Sequence, residues 1–250
     1  MKKSLLFVSI VLILLLMLCT PGCGQSKEEE PIATATETET ETQPVVYPVD
    51  GAWFDDAVFV GDSITLKLSY YCDEHPDALG KASFFCAGSL GYASALWDID
   101  RADAVHPFYQ GQTELTENCA ALTGANKVFI MLGMNDVAVY GVDGTIENAD
   151  ELIGRILSHT PDVKIYIESV TPILYGHEYE DLNNEVIRAF NEALESYAAD
   201  RDYPYLDIYH VVAGDDGYLR ADYCGDEGAQ GIHFTSSGCE AWIDYLKNHV

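Results

Sequence analysis

One serine in this chain stands where a nucleophile is expected. Ser63 follows the apolar run Ala57–Val60 and the pair Gly61-Asp62, and a helical pattern begins directly behind it. A buried strand that turns sharply into a helix presents this hydroxyl at the carboxyl edge of a sheet, and the helix N-terminus supplies N–H groups that suit an oxyanion. Ser63 is therefore a candidate nucleophile. The alternative is that it only caps the helix that follows.

Two further polar side chains come from the ends of other predicted elements. Asn135 lies in a Gly-Met-Asn-Asp run directly after the most hydrophobic strand, and its amide offers N–H groups without charge to an oxyanion. His233 ends a Gly-Ile-His run just before the last helix and is a candidate general base. Each has an ordinary alternative, because an Asn-Asp pair often makes a turn and a lone histidine is often structural.

A glycine-rich turn follows the second predicted strand. Its two glycines, Gly88 and Gly91, would let the backbone approach a ligand closely and leave an N–H free to point into a site. A plain tight turn is the alternative.

The elements that must position these residues alternate along the chain. The predicted strands are residues 57–60, 82–86, 127–132, 163–169 and 205–208, and the predicted helices are residues 64–72, 113–122, 145–159, 181–199 and 236–248. The third and fourth strands are apolar on both faces, which is typical of buried parallel strands. A parallel sheet covered by helices has its functional loops at the carboxyl ends of the strands, where Ser63 lies.

The amino terminus is typical of an export signal. It begins Met-Lys-Lys and continues with an apolar run from Leu5 to Leu18, shorter than the roughly 20 residues of a spanning helix. Cys23 follows a glycine after this run and resembles the lipid-bearing cysteine of a bacterial lipoprotein signal. This resemblance predicts a signal over residues 1–23, with an ordinary cleaved signal as the alternative.

Residues 24–50 and 51–250 differ in composition. The first segment is acidic and rich in Thr and Glu, with too little apolar surface to offset the entropy of ordering, so it predicts a disordered tether. The second is long enough for the core of one domain. It carries 10 Lys and Arg against 34 Asp and Glu, a net charge of −24, which repels nucleic acid and anionic lipid headgroups. We therefore expect no nucleic-acid partner, and membrane contact only through the N-terminal lipid.

The predicted domain contains five cysteines and no metal-binding pattern. No Cys-x-x-Cys pair occurs, and no His or Cys spacing resembles a zinc site. A disulfide between the last two cysteines would bracket the segment around His233, whereas reduced, buried thiols are the alternative. The pairing stays open among Cys72, Cys86, Cys119, Cys224 and Cys239.

Together these blocks resemble the SGNH (or GDSL) hydrolase family over nearly all of residues 55–250. A Gly-Asp-Ser triplet, a glycine turn, a Gly-x-Asn-Asp run and a Gly-Ile-His run occur in the family's order. The resemblance implies a flavodoxin-like α/β fold, a three-layer α/β/α sandwich with a mainly parallel five-stranded sheet. It also implies a serine ester hydrolase that uses neither a metal nor an organic cofactor.

The resemblance assigns roles to the matching positions. Ser63 would be the nucleophile and His233 its general base. The oxyanion hole would consist of the backbone N–H groups of Ser63 and Gly91 and the side-chain amide of Asn135. The implied mechanism is acyl transfer through an acyl-serine intermediate.

The third triad member departs from the family pattern. The family's acid stands three residues before the histidine, and here that position is Gln230. Gln230 would accept the His233 N–H through its carbonyl oxygen, or Asp226 or Glu227 on the same loop would do so. The remaining alternative is that the protein has lost hydrolase activity.

The expected function is that of an exported esterase. We expect it to be a monomer, lipid-anchored to the outer face of the cytoplasmic membrane, with a secreted form as the alternative. The expected substrate is a small ester or an acetylated glycan, because tyrosines such as Tyr140 and Tyr175 near the cleft suit sugar rings. The alternative that Gln230 motivates is a weakened or inactive surface lipoprotein that binds glycan.

Overall fold

The structure is a computed structural model that describes residues 48–250. The predicted signal, Cys23 and most of the predicted tether therefore lie outside the described residues. The Val49 N–H donates to the carbonyl of Lys247 at 2.8 Å, which joins the start of this part to its last helix. None of the helices described here combines the length and the apolar character needed to cross a membrane.

A five-stranded parallel sheet forms the middle layer. Its strands are β1 (Ala57–Gly61), β2 (Ser83–Cys86), β5 (Lys127–Met131), β6 (Lys164–Glu168) and β7 (Tyr205–Leu206), and a separate hairpin consists of β3 (Phe108–Tyr109) and β4 (Gln112–Thr113). The strand order is β2-β1-β5-β6-β7, and every neighbouring pair is parallel. The prediction of an α/β fold with a five-stranded parallel sheet is thus confirmed.

Helices flank this sheet. They are α1 (Ser63–Glu74), α2 (Tyr92–Ala95), α3 (Cys119–Thr123), α4 (Val137–His159), α5 (Asn184–Ala199), α6 (Ile208–Val212) and α7 (Ser236–His249), with 3-10 turns at Gly51–Phe54 and Thr116–Asn118. Helix α1 packs against α7, and α4 packs against α5.

The central strands are buried because their side chains are apolar on both faces. Phe59, Phe129 and Tyr166 occupy matching positions on β1, β5 and β6. Their rings stack with centroid separations of 4.7 and 4.5 Å. Stacked rings of this size bury large apolar areas, so the sheet is most firmly held at the strands that lead to the candidate site.

Several predicted element boundaries are wrong for local reasons. The predicted helix 113–122 is instead a short strand, a 3-10 turn and the five-residue helix α3, which ends at Gly124 with φ +73°. Helix α4 begins at Val137 rather than at residue 145, with a break at Gly141. The predicted strand 205–208 ends early because the Asp207 side chain accepts the His210 N–H and starts α6.

Candidate active site

Ser63 stands at the carboxyl end of β1, where the chain turns into α1. The residue that caps α1 is Asp62, whose Oδ1 accepts the Ile64 N–H at 2.8 Å. The capping bond therefore belongs to Asp62, and the Ser63 hydroxyl is left for another partner. The alternative that Ser63 serves only as a helix cap is not what the structure shows.

A continuous series of hydrogen bonds links serine, histidine and a carboxylate. Ser63 Oγ lies 2.8 Å from His233 Nε2, and His233 Nδ1 lies 2.7 Å from Asp226 Oδ2. An ionised carboxylate can only accept, so Nδ1 carries the proton and Nε2 is free to accept from the serine hydroxyl. This is the arrangement in which an imidazole can take the serine proton.

The Asp226 carboxylate is held on both oxygens. Its Oδ1 accepts the backbone N–H groups of Ile232 and His233, each at 3.0 Å, and lies 3.5 Å from Cys224 Sγ. Partial burial acts to raise the pKa of Asp226, but the hydrogen bonds from His233 and Cys224 outweigh it, so the pKa lies below its usual value. Asp226 is therefore ionised where it meets the imidazole.

Of the three candidates for the partner of His233 Nδ1, the structure brings Asp226 into contact. Gln230 and Glu227 are both exposed and neither is hydrogen-bonded to His233, whereas Asp226, seven residues before the histidine, is. Residues 227–230 loop out between Asp226 and Gly231, and this segment is here called the excursion. The N–H groups of Ala229 and Gly231 both donate to the Asp226 carbonyl, at 2.8 and 3.3 Å.

The excursion explains the departure from the family pattern. Without residues 227–230 the sequence would read Asp-Gly-Ile-His, with the acid three residues before the histidine. An insertion within the motif, rather than a substitution at its first position, is therefore the signal that separates Asp226 from the other two candidates.

Asn135 reaches the site from the end of β5. The preceding Gly133 has φ +124°, and a Cβ there would overlap the ring of Phe190, so only glycine fits this turn. Asn135 Nδ2 donates to the Leu90 carbonyl at 3.0 Å and to Asp62 Oδ2 at 3.2 Å. The structure thus brings the Asn135 amide beside the Asp62-Ser63 turn.

Gly91 is in the predicted loop, but its N–H already makes a hydrogen bond within the protein. It donates to Ser94 Oγ at 2.9 Å, in the first turn of α2. An oxyanion role for Gly91 therefore requires that Ser94 release this N–H. Gly88, the other glycine of the turn, is exposed.

Two buried carboxyls that sequence reasoning did not single out support this side of the site. Asp136 accepts the N–H groups of Tyr92 and Ala93, each at 2.9 Å, and so ties the glycine turn to the end of β5. Burial raises the pKa of Asp136 against these two hydrogen bonds. Burial also raises the pKa of Asp62 to about 7, opposed by the Ile64 N–H and by the charge of His233.

Exposed apolar side chains follow the strand ends. Val139, 72% exposed, and Tyr140 come just after Asn135, and Tyr175, 73% exposed, follows β6. The Tyr175 ring meets that of Tyr218 edge-on at 5.1 Å, and both border a cavity of about 370 Å³. Tyr71 and Tyr92, by contrast, are buried.

The cysteines are free thiols in the described part of the chain. Cys224 does not pair with Cys239, and its thiol instead donates to Asp226. Within residues 48–250, no group of three or more His, Cys, Asp or Glu side chains is arranged to hold a metal ion.

Comparison with known proteins agrees with this geometry. Residues 59–241 match the GDSL-like Lipase/Acylhydrolase family, whereas no curated protein sequence matches the chain. A GDSL-like lipase from Bacteroides thetaiotaomicron VPI-5482 is similar in structure, with TM-score 0.57, 19% identity, and coverage of 77% of this chain and 86% of that chain. A mutant acetyl esterase with an acetate ion gives TM-score 0.50, 17% identity, and coverage of 76% and 94%. At these identities the likeness concerns the fold.

Proposed function

The chain belongs to the GDSL-like lipase/acylhydrolase family, and on this premise we propose that it is an exported serine esterase that removes acetyl groups from a glycan. The observation that carries the proposed reaction is the series from Ser63 through His233 to Asp226, with its separations of 2.8 and 2.7 Å. The acetyl group, the glycan and the exported location go beyond family membership and are proposals.

The proposed reaction has two steps. Ser63 Oγ attacks the ester carbonyl while His233 Nε2 takes its proton, and Asp226 stabilises the imidazolium that results. The oxyanion accepts from the Ser63 N–H, from Asn135 Nδ2 once one of its two N–H groups leaves Asp62 or Leu90, and from the Gly91 N–H once Ser94 releases it. The alcohol leaves with the proton from His233, and water then attacks the acyl-serine with His233 as base.

Charge and exposed tyrosines support the choice of substrate. A net charge of −24 over residues 51–250 repels polyanions, which favours a neutral acetylated sugar over an acidic polymer. Tyr140 and Tyr175 are exposed near the strand ends that carry the site, and aromatic faces suit sugar rings. An acetyl esterase is among the structures that share this fold.

The proposed location rests on the amino-terminal sequence. A lipid on Cys23 would anchor a monomeric enzyme to the outer face of the cytoplasmic membrane, and residues 24–50 would give the domain reach toward a wall glycan. The alternative of a retired hydrolase that only binds glycan depended on Gln230. The contact between Asp226 and His233, at 2.7 Å, supports the hydrolase instead.

The test is Ser63→Ala, with Ser158→Ala, an exposed serine of α4, as the matched control. Hydrolysis of p-nitrophenyl acetate, acetate release from acetylated glycans and labelling by a serine-reactive phosphonate should all be lost in Ser63→Ala and kept in Ser158→Ala. Full activity in folded Ser63→Ala would overturn the assignment. Activity on p-nitrophenyl acetate without release from any acetylated glycan would overturn the substrate and keep the reaction.

A further inference from the structure

Few contacts join the excursion to the rest of the domain. All of its residues, 227–230, are exposed, and the side chains of Glu227 and Gln230 make no hydrogen bond within the described part of the chain. Among residues 48–250, its one hydrogen bond to another part of the domain joins the Ala229 carbonyl to His177 Nδ1, at 3.3 Å. Because a carbonyl only accepts, this nitrogen of His177 carries the proton.

His177 also packs against the point where the excursion ends. Gly231 has φ +70°, and a Cβ at this position would lie 2.6 Å from His177 Cγ. The imidazole therefore occupies the space that any other residue at position 231 would need. The Leu174 N–H donates to the Gly231 carbonyl at 2.8 Å. A backbone hydrogen bond therefore joins the same two segments as the bond between His177 and Ala229.

Hydrogen bonds hold the start of the turn that carries His177. The His177 N–H donates to the Leu174 carbonyl at 3.1 Å and closes the turn. One residue earlier, the Asn184 side chain on α5 accepts the Ile173 N–H at 2.8 Å and donates to the Ile173 carbonyl at 2.9 Å. His177 is thus tied through its own turn to a buried asparagine at the start of α5.

The residues that His177 touches are the ones that fix the triad acid. Ala229 and Gly231 both donate to the Asp226 carbonyl, and the next two N–H groups along the chain hold the Asp226 carboxylate. In a plain Asp-Gly-Ile-His motif, covalent connection alone keeps the acid next to the glycine. Here four extra residues must be ordered, and each has conformational freedom to lose.

We propose that His177 is a positioning residue that clamps the excursion and so keeps Asp226 in contact with His233. This inference rests on the proposed function, because it concerns the same triad. His177 does not touch substrate. It acts through Ala229 and Gly231 on the placement of the acid.

The test compares His177→Ala with two matched variants. His177→Asn keeps an N–H donor near the position of Nδ1 and should rescue the contact. His249→Ala is the control, because His249 likewise pairs Nδ1 with a backbone carbonyl, that of Tyr245 at 2.8 Å, but on the last helix. We expect His177→Ala to lower kcat on p-nitrophenyl acetate by roughly 10- to 100-fold with little change in KM, as small misplacement of a catalytic group does. His177→Asn should recover most of this loss, and His249→Ala should show none.

A spectroscopic readout separates this inference from the proposed function. The His233 Nδ1 proton shared with Asp226 should give a low-field proton resonance in the wild type, which requires no substrate. We expect His177→Ala to broaden or remove this resonance and His177→Asn to restore it. If no ester is hydrolysed but the resonance responds in this way, the clamp stands and the esterase proposal fails. An unchanged resonance and unchanged kcat in His177→Ala would overturn the clamp.

Deletion of residues 227–230 provides a double-mutant cycle. In this background Asp226 joins Gly231 directly, so His177→Ala should have no further effect on kcat or on the resonance. An equal loss in the deletion background would overturn the inference, because His177 would then act by another route. If the deletion variant does not fold, the comparison of His177→Ala with His177→Asn decides, since equal losses in both would contradict the role of the donor.

Discussion

Ser63 and Asn135 reach the site from the ends of two adjacent buried strands, whereas Asp226 and His233 share one irregular loop. Strands β1 and β5 pair up to their carboxyl ends, so a ladder of backbone hydrogen bonds fixes Ser63 relative to the amide of Asn135. The loop is held by hydrogen bonds to Asp226, by backbone bonds that pair residues 223–225 with residues 233–235, and by the contacts of residues 174 and 177 with the excursion and its end. The core of the domain thus positions one half of the site, and local contacts position the other.

This difference indicates how the two halves respond to change. Segments with few buried contacts open more readily than core strands do. Substitutions on the histidine side should therefore alter activity while the domain stays folded. On the strand side, only side chains that project from the sheet into the cleft can be substituted without unfolding the domain.

The largest expected effect tests the histidine side. Asp226→Asn keeps the shape of the side chain but removes the charge that stabilises the His233 imidazolium, and its amide can favour the wrong tautomer. We expect kcat on p-nitrophenyl acetate to fall about 10⁴-fold at an unchanged melting temperature. Glu227→Gln, which neutralises the neighbouring exposed acid, is the control and should keep full activity. A comparable loss in the control would mean that the loop's charge matters rather than this contact.

A smaller effect is expected on the strand side. Asn135→Ala removes one oxyanion donor while β5 continues to hold the backbone, so kcat should fall by about 10²- to 10³-fold and KM should change little. Steady-state kinetics measures this, with Asn248→Ala, an exposed asparagine on α7, as the control. Retention of full activity in Asn135→Ala would exclude this amide from the oxyanion hole.

The smallest effect is expected at Gln230. Gln230→Asp puts an acid at the family's position, but this side chain is exposed and Asp226 already contacts His233. We therefore expect kcat/KM to match that of the wild type and of Gln230→Ala. A strong rise in kcat/KM in Gln230→Asp would contradict this expectation, because it would mean that the loop does not hold Asp226 against His233 in solution.

The strand side could be predicted from the sequence because its signals are local. An apolar run, a glycine and a polar residue mark the end of β1 and of β5, and parallel pairing brings such ends together. The sheet and the juxtaposition of Ser63 and Asn135 follow from this pattern. The bond between Ser94 and Gly91 does not, because it depends on how the first turn of α2 is capped.

The histidine side could be predicted only in part. The position of His233 before α7 is visible in the sequence, but the family's spacing leads to Gln230, which is not an acid, and leaves the choice among Gln230, Asp226 and Glu227 open. Counting residues back from the histidine fails here because residues 227–230 loop out between Asp226 and Gly231. Two hydrogen bonds to the Asp226 carbonyl close this loop. The helix predicted over residues 113–122 failed similarly, since its apolar pattern belongs to a hairpin strand, a 3-10 turn and a short helix.

The hydrogen bond that closes the base of the excursion makes this loop a natural point for substitutions. The Gly231 N–H keeps the Asp226 carbonyl close, so residues 227, 228 and 230 can be exchanged without separating the acid from the histidine, provided that the residue at position 229 still offers its carbonyl to His177. These exposed positions offer a protein engineer a place to vary the surface beside Ser63 and His233.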